Sequence, residues 1–242
     1  MSIVPMKTIR RPFLTARWSN LAILTYEVPA PLLEPHLPEG LELDRWGGTA
    51  FASLVAFDFL DTRVWGIPWP GFGQFPEINL RFYVKRGGRR GVVFVREFVP
   101  RPAVAWLARA IYNEPYLVAP IDSSVTNTQS RLVTIRRLHW HGRKHVIEVT
   151  GDSPALRPAE DSDEHFFKEH QWGFGRDRRG RTHAYEVRHP VWDVHRVRAW
   201  KVDLDWAQVY GAPWGVLSGE KPASVILAAG SAVSVYPGGR LI

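Results

Sequence analysis

The sequence predicts a mainly β protein (α+β class), an antiparallel barrel or barrel-like sheet with short helices on its outside. Three observations carry this. Eleven stretches are rich in β-branched or aromatic residues, and most are separated by Gly, Pro or Asp turns at hairpin distances. Helical periodicity is confined to four short pieces, so few strand pairs have between them a helix long enough for a parallel crossover. Eleven short strands in an open sheet would leave edges exposed, and closure removes them.

The strands expected are Leu21 to Val28, Leu41 to Asp44, Thr49 to Phe59, Ile78 to Val84, Val92 to Val99, Leu117 to Ser123, Gln129 to Trp140, Lys144 to Thr150, His183 to Arg188, His195 to Leu204 and Ser231 to Tyr236. The helices expected are Ala30 to His36, Ala103 to Ile111, Asp163 to His170 and Asp205 to Tyr210. No internal linker, repeat or low-complexity segment interrupts them, so the 242 residues read as one domain, 1–242, large enough to bury a sizeable core.

Composition narrows the function classes. The absence of cysteine excludes disulfides, thiolate catalysis and thiolate metal ligation. The first residues, MSIVPMKTIRR, lack the apolar stretch of a signal peptide, and no apolar run approaches the roughly 20 residues that span a bilayer. A cytoplasmic location and no membrane partner are expected. The formal net charge of +7 invites a nucleic-acid reading, but the densest basic groups are Lys85, Arg86, Arg89 and Arg90, and Arg176, Arg178, Arg179 and Arg181. Both sets sit around glycines as hairpin tips do, where charge is solvated, and no nucleic-acid-binding motif accompanies them. The sequence argues against nucleic acid as a partner and leaves a homo-oligomer open.

Strand alternation places Glu77, Asn79, Arg81 and Tyr83 on one face and Ile78, Leu80, Phe82 and Val84 on the other. The apolar set faces packing. The polar set either lines a cavity or faces water with Glu77 and Arg81 as a diagonal ion pair. The segment DTRVWGIPWPGFGQFP, Asp61 to Pro76, joins Trp65 and Trp69 to stiffening prolines and glycines, so it either lids an apolar ligand or packs on the end of the sheet. His139, His141 and His145 are close enough in sequence to converge, yet no carboxylate stands beside them at ligand spacing and the neighbouring Arg136, Arg137, Arg143 and Lys144 repel a cation. No metal and no cofactor are expected. No nucleophile elbow, phosphate loop or dinucleotide fingerprint occurs.

The segments RWSNLAILTYEVPAPLLEPHLPEGLELD (Arg17 to Asp44), FPEINLRFYV (Phe75 to Val84), GVVFVREF (Gly91 to Phe98) and WLARAIYNEPYLVAP (Trp106 to Pro120) resemble the domain-of-unknown-function family 2071. That family is similar to the acetoacetate decarboxylase superfamily. The resemblance implies a decarboxylase-like barrel and puts Glu77 at an interior glutamate. It sets Arg109, Asn113 and Pro115 at the arginine, a glycine and the proline of the decarboxylase motif. Both lysines that follow that proline, one of which forms the Schiff base, are replaced by Tyr116 and Leu117. A phenol and an isobutyl group cannot form an imine. Of the six lysines, none is placed in the interior by the sequence. On this resemblance Arg109 becomes an anion anchor able to bind a carboxylate through two parallel hydrogen bonds. Tyr116 would stand where the nucleophile stood.

Two readings follow. One is an interior site for a small carboxylated or oxygenated ligand, with Glu77 and Tyr116 as the acid–base pair, Arg81, Arg109, Trp65 and Trp69 as binding residues, and a lyase or hydratase chemistry without an imine. The other is a non-catalytic binding or structural protein on the same fold, its cavity filled by its own side chains.

Overall fold

The computed structural model describes residues 11–240. The N-terminal segment read above for a leader lies largely outside them. In chain order the elements are β1 (Leu14–Glu27), α1 (Ala30–Leu33), β2 (Glu42–Leu43), β3 (Phe51–Val64), β4 (Phe75–Arg86), β5 (Arg89–Val99), α2 (Pro102–Tyr112), β6 (Tyr116–Val118) and β7 (Ile121–Asn127). They continue with β8 (Arg131–Trp140), β9 (Arg143–Asp152), α3 (Asp163–Lys168), β10 (Trp172–Arg176), β11 (Thr182–Arg188), β12 (Val194–His195), β13 (Val197–Asp203), α4 (Trp206–Tyr210) and β14 (Ser224–Arg240).

Helix boundaries follow local chemistry. Pro102 starts α2, where its missing N–H is no loss, and Asn113 ends it in the left-handed region at φ 53°. Ser162 and Asp205 cap α3 and α4, their side chains accepting from the backbone N–H of His165 at 3.2 Å and of Gln208 at 3.0 Å. The expected helix from Ala30 to His36 divides into α1 and a 3-10 turn over Glu34–His36, since Pro35 has no N–H to continue it.

The mainly β class with few short helices is as predicted, and the purely antiparallel arrangement is not. Strands β6 and β10 each pair with β5 in parallel. The β5 to β6 pairing is bridged by α2, which supplies the crossover that the sequence undervalued. Strand β10, Trp172–Arg176, was absent from the expected strands because its WGFGR reads as a Gly-rich turn. In the larger sheet β4 bonds to both β3 and β5, so the pairings pass from β4 through β3, β1, β14, β11, β10 and β5 and return to β4.

A second sheet, β13-β9-β8-β7, covers one side of this ring. Between them lies a large apolar core in which Leu24, Leu54, Leu80 and Phe82 of the ring meet Leu132, Leu138 and Val149 of the second sheet and Trp206 and Trp214 near α4. Each such fully buried side chain contributes roughly 1.5–3 kcal/mol. A second apolar cluster, including Leu21, Ile23, Val55, Phe57, Phe75 and Tyr83, occupies the opposite face of the same strands. Strand β4 is therefore buried on both faces. Its polar row does not look onto water: Glu77 and Asn79 are 2% exposed and Arg81 is 9% exposed.

Candidate functional site

The ring surrounds a partly open cavity of about 130 Å³. Most of its wall is aromatic or aliphatic, from Trp18, Phe57, Phe59, Phe94, Trp172 and Val235 among others. Into it project Glu77, Asn79 and Arg81 of β4, Glu97 of β5, Glu114, Tyr116 of β6, His170 and Tyr185 of β11. Strand register brings three of these side by side, because Glu97 pairs with Asn79 on one flank and with Tyr116 on the other.

Glu77 is the hub of the polar group. Its Oε1 accepts from Asn79 Nδ2 at 2.8 Å, and its Oε2 accepts from the Tyr116 hydroxyl at 2.9 Å. Glu97 is hydrogen-bonded to both Glu77 and Tyr116, and Glu114 to Tyr185. One oxygen each of Glu97 and Glu114 is buried without a partner, as are Oδ1 of Asn79 and Nε of Arg81. Arg81 spends its Nη2 on the carbonyl of Phe167 at 3.2 Å. Both ring nitrogens of His170 are likewise buried and unpartnered.

Three carboxyl groups facing one guanidinium in an apolar enclosure cannot all ionise as they would in water. Burial pushes the Glu77 carboxyl up to about 7, opposed by its hydrogen bonds from Asn79 and Tyr116. Burial, with the charge of Glu77 beside it, pushes Glu114 up to about 8. Glu97 is raised well above the carboxylate range by burial and then by Glu77 and Glu114. The Tyr116 phenol is raised too, by burial and then by Glu77 and Glu97, so it donates and does not ionise. His170 is held well below its ordinary value by burial, then by Arg81 and Arg90, which keeps it neutral. The arrangement holds protons on carboxyl groups at neutral pH next to one carboxyl poised to exchange them.

Glycine makes room for this site. A β carbon on Gly173 would collide with the Tyr185 ring across the β10–β11 pair, so only glycine lets that phenol lie inward toward Glu114.

A profile of family DUF2071, described as an uncharacterized conserved protein, matches residues 15–232. The chain belongs to the DUF2071 family. Uncharacterized protein YqjF of Bacillus subtilis (strain 168) is 31% identical over 107 residues, and that alignment spans 44% of each chain. Among solved structures, an acetoacetate decarboxylase-like enzyme from Sphingomonas wittichii RW1 superposes with TM-score 0.66 at 12% identity, over 99% of this chain and 96% of that one. Acetoacetate decarboxylase from Legionella pneumophila gives TM-score 0.64 at 14% identity, over 100% and 92%. The enduracididine biosynthesis enzyme MppR, solved with pyruvate, gives 0.62 at 16% identity, over 98% and 93%. These identities support a shared fold.

In this DUF2071 protein the expected Glu77, Arg81 and Tyr116 meet in the cavity, while three other expected residues do not. Arg109 is exposed on α2, and its Nε donates to the Ala105 carbonyl of its own helix at 3.1 Å. The cause is helical phase: Val104, Leu107 and Ala108 turn to the cavity, which sends Arg109 away. Trp65 is 62% exposed and packs edge-on against Phe13, and Trp69 is 45% exposed with its indole N–H on the Val64 carbonyl. From that segment Phe72 and Phe75 reach the cavity instead.

The histidine group does not converge, since the β8–β9 register sets His145 opposite Leu138 and His139 opposite Lys144, on alternate faces. His139 pairs with Asp122 at 2.9 Å. Among the described residues no cluster of three or more metal-ligating groups occurs. Among the described residues one lysine is buried after all: Lys168, ion-paired to Glu169 and outside the cavity wall. Basic hairpin residues hold local structure as well, Arg90 stacking 4.0 Å over Phe166 and Arg176 donating to the carbonyls of Pro35 and Leu37. Among the described residues no helix is long and apolar enough to cross a membrane.

Glu97, Glu114 and Tyr185 are the functional candidates that sequence reasoning missed. Glu97 reads as half of an ordinary surface pair in VRE. Phe94 and Glu97 are three apart yet both line the cavity, because the β4–β5 register slips between Leu80 and Arg81. Glu114 follows the helix directly and looks like loop. The findable signal was WGFGR, whose alternate glycines suit large side chains on a neighbouring strand.

Proposed function

We propose that this chain works as a single-domain barrel around the cavity, binding a small oxygenated organic molecule and acting on it by proton transfer between carboxyl groups, as a lyase or hydratase without an imine. The observation that carries this reading is the Glu77, Glu97, Tyr116 cluster, proton-rich and largely without cations in an apolar enclosure. A cavity of about 130 Å³ is close to the roughly 150 Å³ that accepts benzene, which sets the ligand at about six to eight non-hydrogen atoms. Arg81, with its free Nε, is the group suited to a carbonyl or carboxyl oxygen.

In the proposed step a Glu77 oxygen takes a proton from the carbon next to a carbonyl, and the bonding electrons move onto the carbonyl oxygen. Tyr116 and Arg81 donate hydrogen bonds to that developing charge. A hydroxyl one carbon further on leaves as water with a proton from Glu97, and the reverse steps add water. A base whose carboxyl sits at about 7 is matched to work near neutrality. The fold neighbours support a small-molecule site, since one of them, MppR, was solved in complex with pyruvate.

A binding protein without turnover remains the second reading, and one observation favours it: both Glu77 oxygens already accept hydrogen bonds. Proton NMR in deuterium oxide, with a panel of small enolisable carbonyl compounds and their β-hydroxy derivatives, separates the two. The catalytic reading expects exchange or elimination on at least one compound, abolished by Glu77→Gln. Saturable binding with no exchange on any compound would sink it and leave the binding protein.

A further inference from the structure

We propose that the cavity takes an uncharged carbonyl compound with a compact hydrocarbon body, its carbonyl end at Glu77 and its body against Phe57, Phe59, Phe75 and Trp18, and that it rejects carboxylates. The inference rests on the reading of this cavity as a ligand site and narrows what that ligand is.

Strand register sets the two ends. In the β3–β4 pair Glu77 stands opposite Phe57, and Phe75 stands opposite Phe59. Glu77 and Phe75 are two residues apart on one strand, so they share a face at a spacing of about 7 Å. Trp18 of β1 stands opposite Phe59 on the other flank of β3, and all five side chains line the cavity. The rings touch one another: Phe59 stacks on Phe75 with 4.6 Å between ring centres, and Trp18 meets Phe57 edge-on at 5.3 Å and Phe59 at 5.7 Å. A molecule with its reacting carbon at the Glu77 carboxyl therefore lays its next few carbons against aromatic surface.

The charges in the wall tell against an anion. Glu77, Glu97 and Glu114 bring three carboxyl groups, all buried. Among the described residues lining the cavity, Arg81 is the one arginine or lysine. Its Nη2 already donates to the Phe167 carbonyl at 3.2 Å, and its charge already favours ionised Glu77. His170, the other basic group in the wall, is kept neutral by burial and then by Arg81 and Arg90. Arg109, expected as the anion anchor, is exposed on α2, and Val104, Leu107 and Ala108 form that part of the wall.

A wall that drives its own carboxyl groups to hold protons penalises a ligand carboxylate for the same reason, as a desolvated anion without a cation of its own. A ketone or aldehyde oxygen needs only a hydrogen-bond donor, which the Arg81 N–H groups supply. The hydrocarbon body then gains from leaving water for the aromatic end.

Calorimetric titration of the purified chain at neutral pH with three compounds tests this. Cyclopentyl methyl ketone and cyclopentanecarboxylate share a ring and nearly a shape, the second placing a charged oxygen where the first has a methyl group. Acetone keeps the carbonyl and lacks the body. The ring ketone should bind at least about tenfold more tightly than either of the others. Phe59→Leu and Phe75→Leu keep apolar bulk but remove a ring face, and each should weaken the ring ketone by roughly twofold to tenfold while leaving acetone unchanged. Cyclopentanecarboxylate or acetone binding as tightly as the ring ketone would overturn the inference and leave the cavity as a ligand site. Binding of none of the three would overturn it as well, with the deuterium-exchange panel deciding the acid–base reading separately. The wild-type comparison decides without either variant, should they fold poorly.

Discussion

Two buried charged regions lie a few strands apart and are built on opposite principles. Where the second sheet meets the ring, Arg136 of β8 is 1% exposed and its Nη2 donates to Asp58 of β3 at 2.7 Å. Ser123 of β7 adds its hydroxyl to the same carboxylate at 2.8 Å. Inside the cavity, Glu77, Glu97 and Glu114 crowd together with one guanidinium among them, and several polar atoms are left unmatched. The first region pairs its opposite charges, with only Arg136 Nε left without a hydrogen bond, and ties one sheet to the other. The second leaves them unresolved, at a cost in stability, and so holds exchangeable protons. That contrast separates a structural charge from a chemical one better than burial alone.

Removing one partner breaks the comparison most sharply. Asp58→Ala leaves Arg136 buried and uncompensated, and should lower unfolding free energy by about 3–5 kcal/mol in denaturant titration. A loss under 1 kcal/mol, roughly what a surface pair gives, would mean that Arg136 is not sealed from water.

The cavity acids should behave in the reverse sense. A carboxyl raised in the folded state binds a proton there that the unfolded chain has already released, so stability is full below the unfolded value near 4.3 and falls as pH rises toward the folded value. For Glu77 the fall runs up to about 7 and for Glu114 to about 8. Glu77→Gln and Glu114→Gln should therefore each stabilise the chain at pH 9, by roughly 1–3 kcal/mol, with little gain at pH 4. Equal effects at both pH values would contradict unpaired burial.

Gly173→Ala comes next, since its β carbon meets the Tyr185 ring. It should cost about 1–3 kcal/mol, measurable as a lower melting temperature, and should alter Tyr185 fluorescence. The smallest effect belongs to Arg109→Ala. With Arg109 exposed and bonded only to its own helix, the change should stay within about 0.5 kcal/mol and leave ligand affinity unaltered.

These sites differ in how far the sequence discloses them. FPEINLR displays its polar row openly, and period-two alternation is enough to group Glu77 with Arg81. Alternation does not say whether that row meets water, because the answer lies in the remaining strands that close around it. Arg109 was carried over from a motif, and a single step of helical phase turned it outward. Glu97 was hidden by a slip in strand register, Glu114 by its place just past a helix, and Tyr185 by its dependence on a glycine in another strand. Asp58 and Arg136 are 78 residues apart, a pairing that no local pattern announces.

The borohydride test bears on the missing amine. Treatment with acetoacetate and then borohydride should leave no adduct, because among the described residues no lysine lines the cavity and Lys168 is held by Glu169. A reduced adduct mapped to any lysine would restore an imine mechanism.

The central claim is that burial holds the cavity glutamates far above the ordinary carboxylate range, with Glu77 midway through its titration near neutral pH. Carbon-13 NMR of glutamate side-chain carboxyls, with Glu77 assigned by its disappearance in Glu77→Gln, measures this directly. The account predicts a Glu77 midpoint at about 7. A midpoint in the ordinary range near 4.3 would show the cavity to be wet or its charge paired, and would contradict the account.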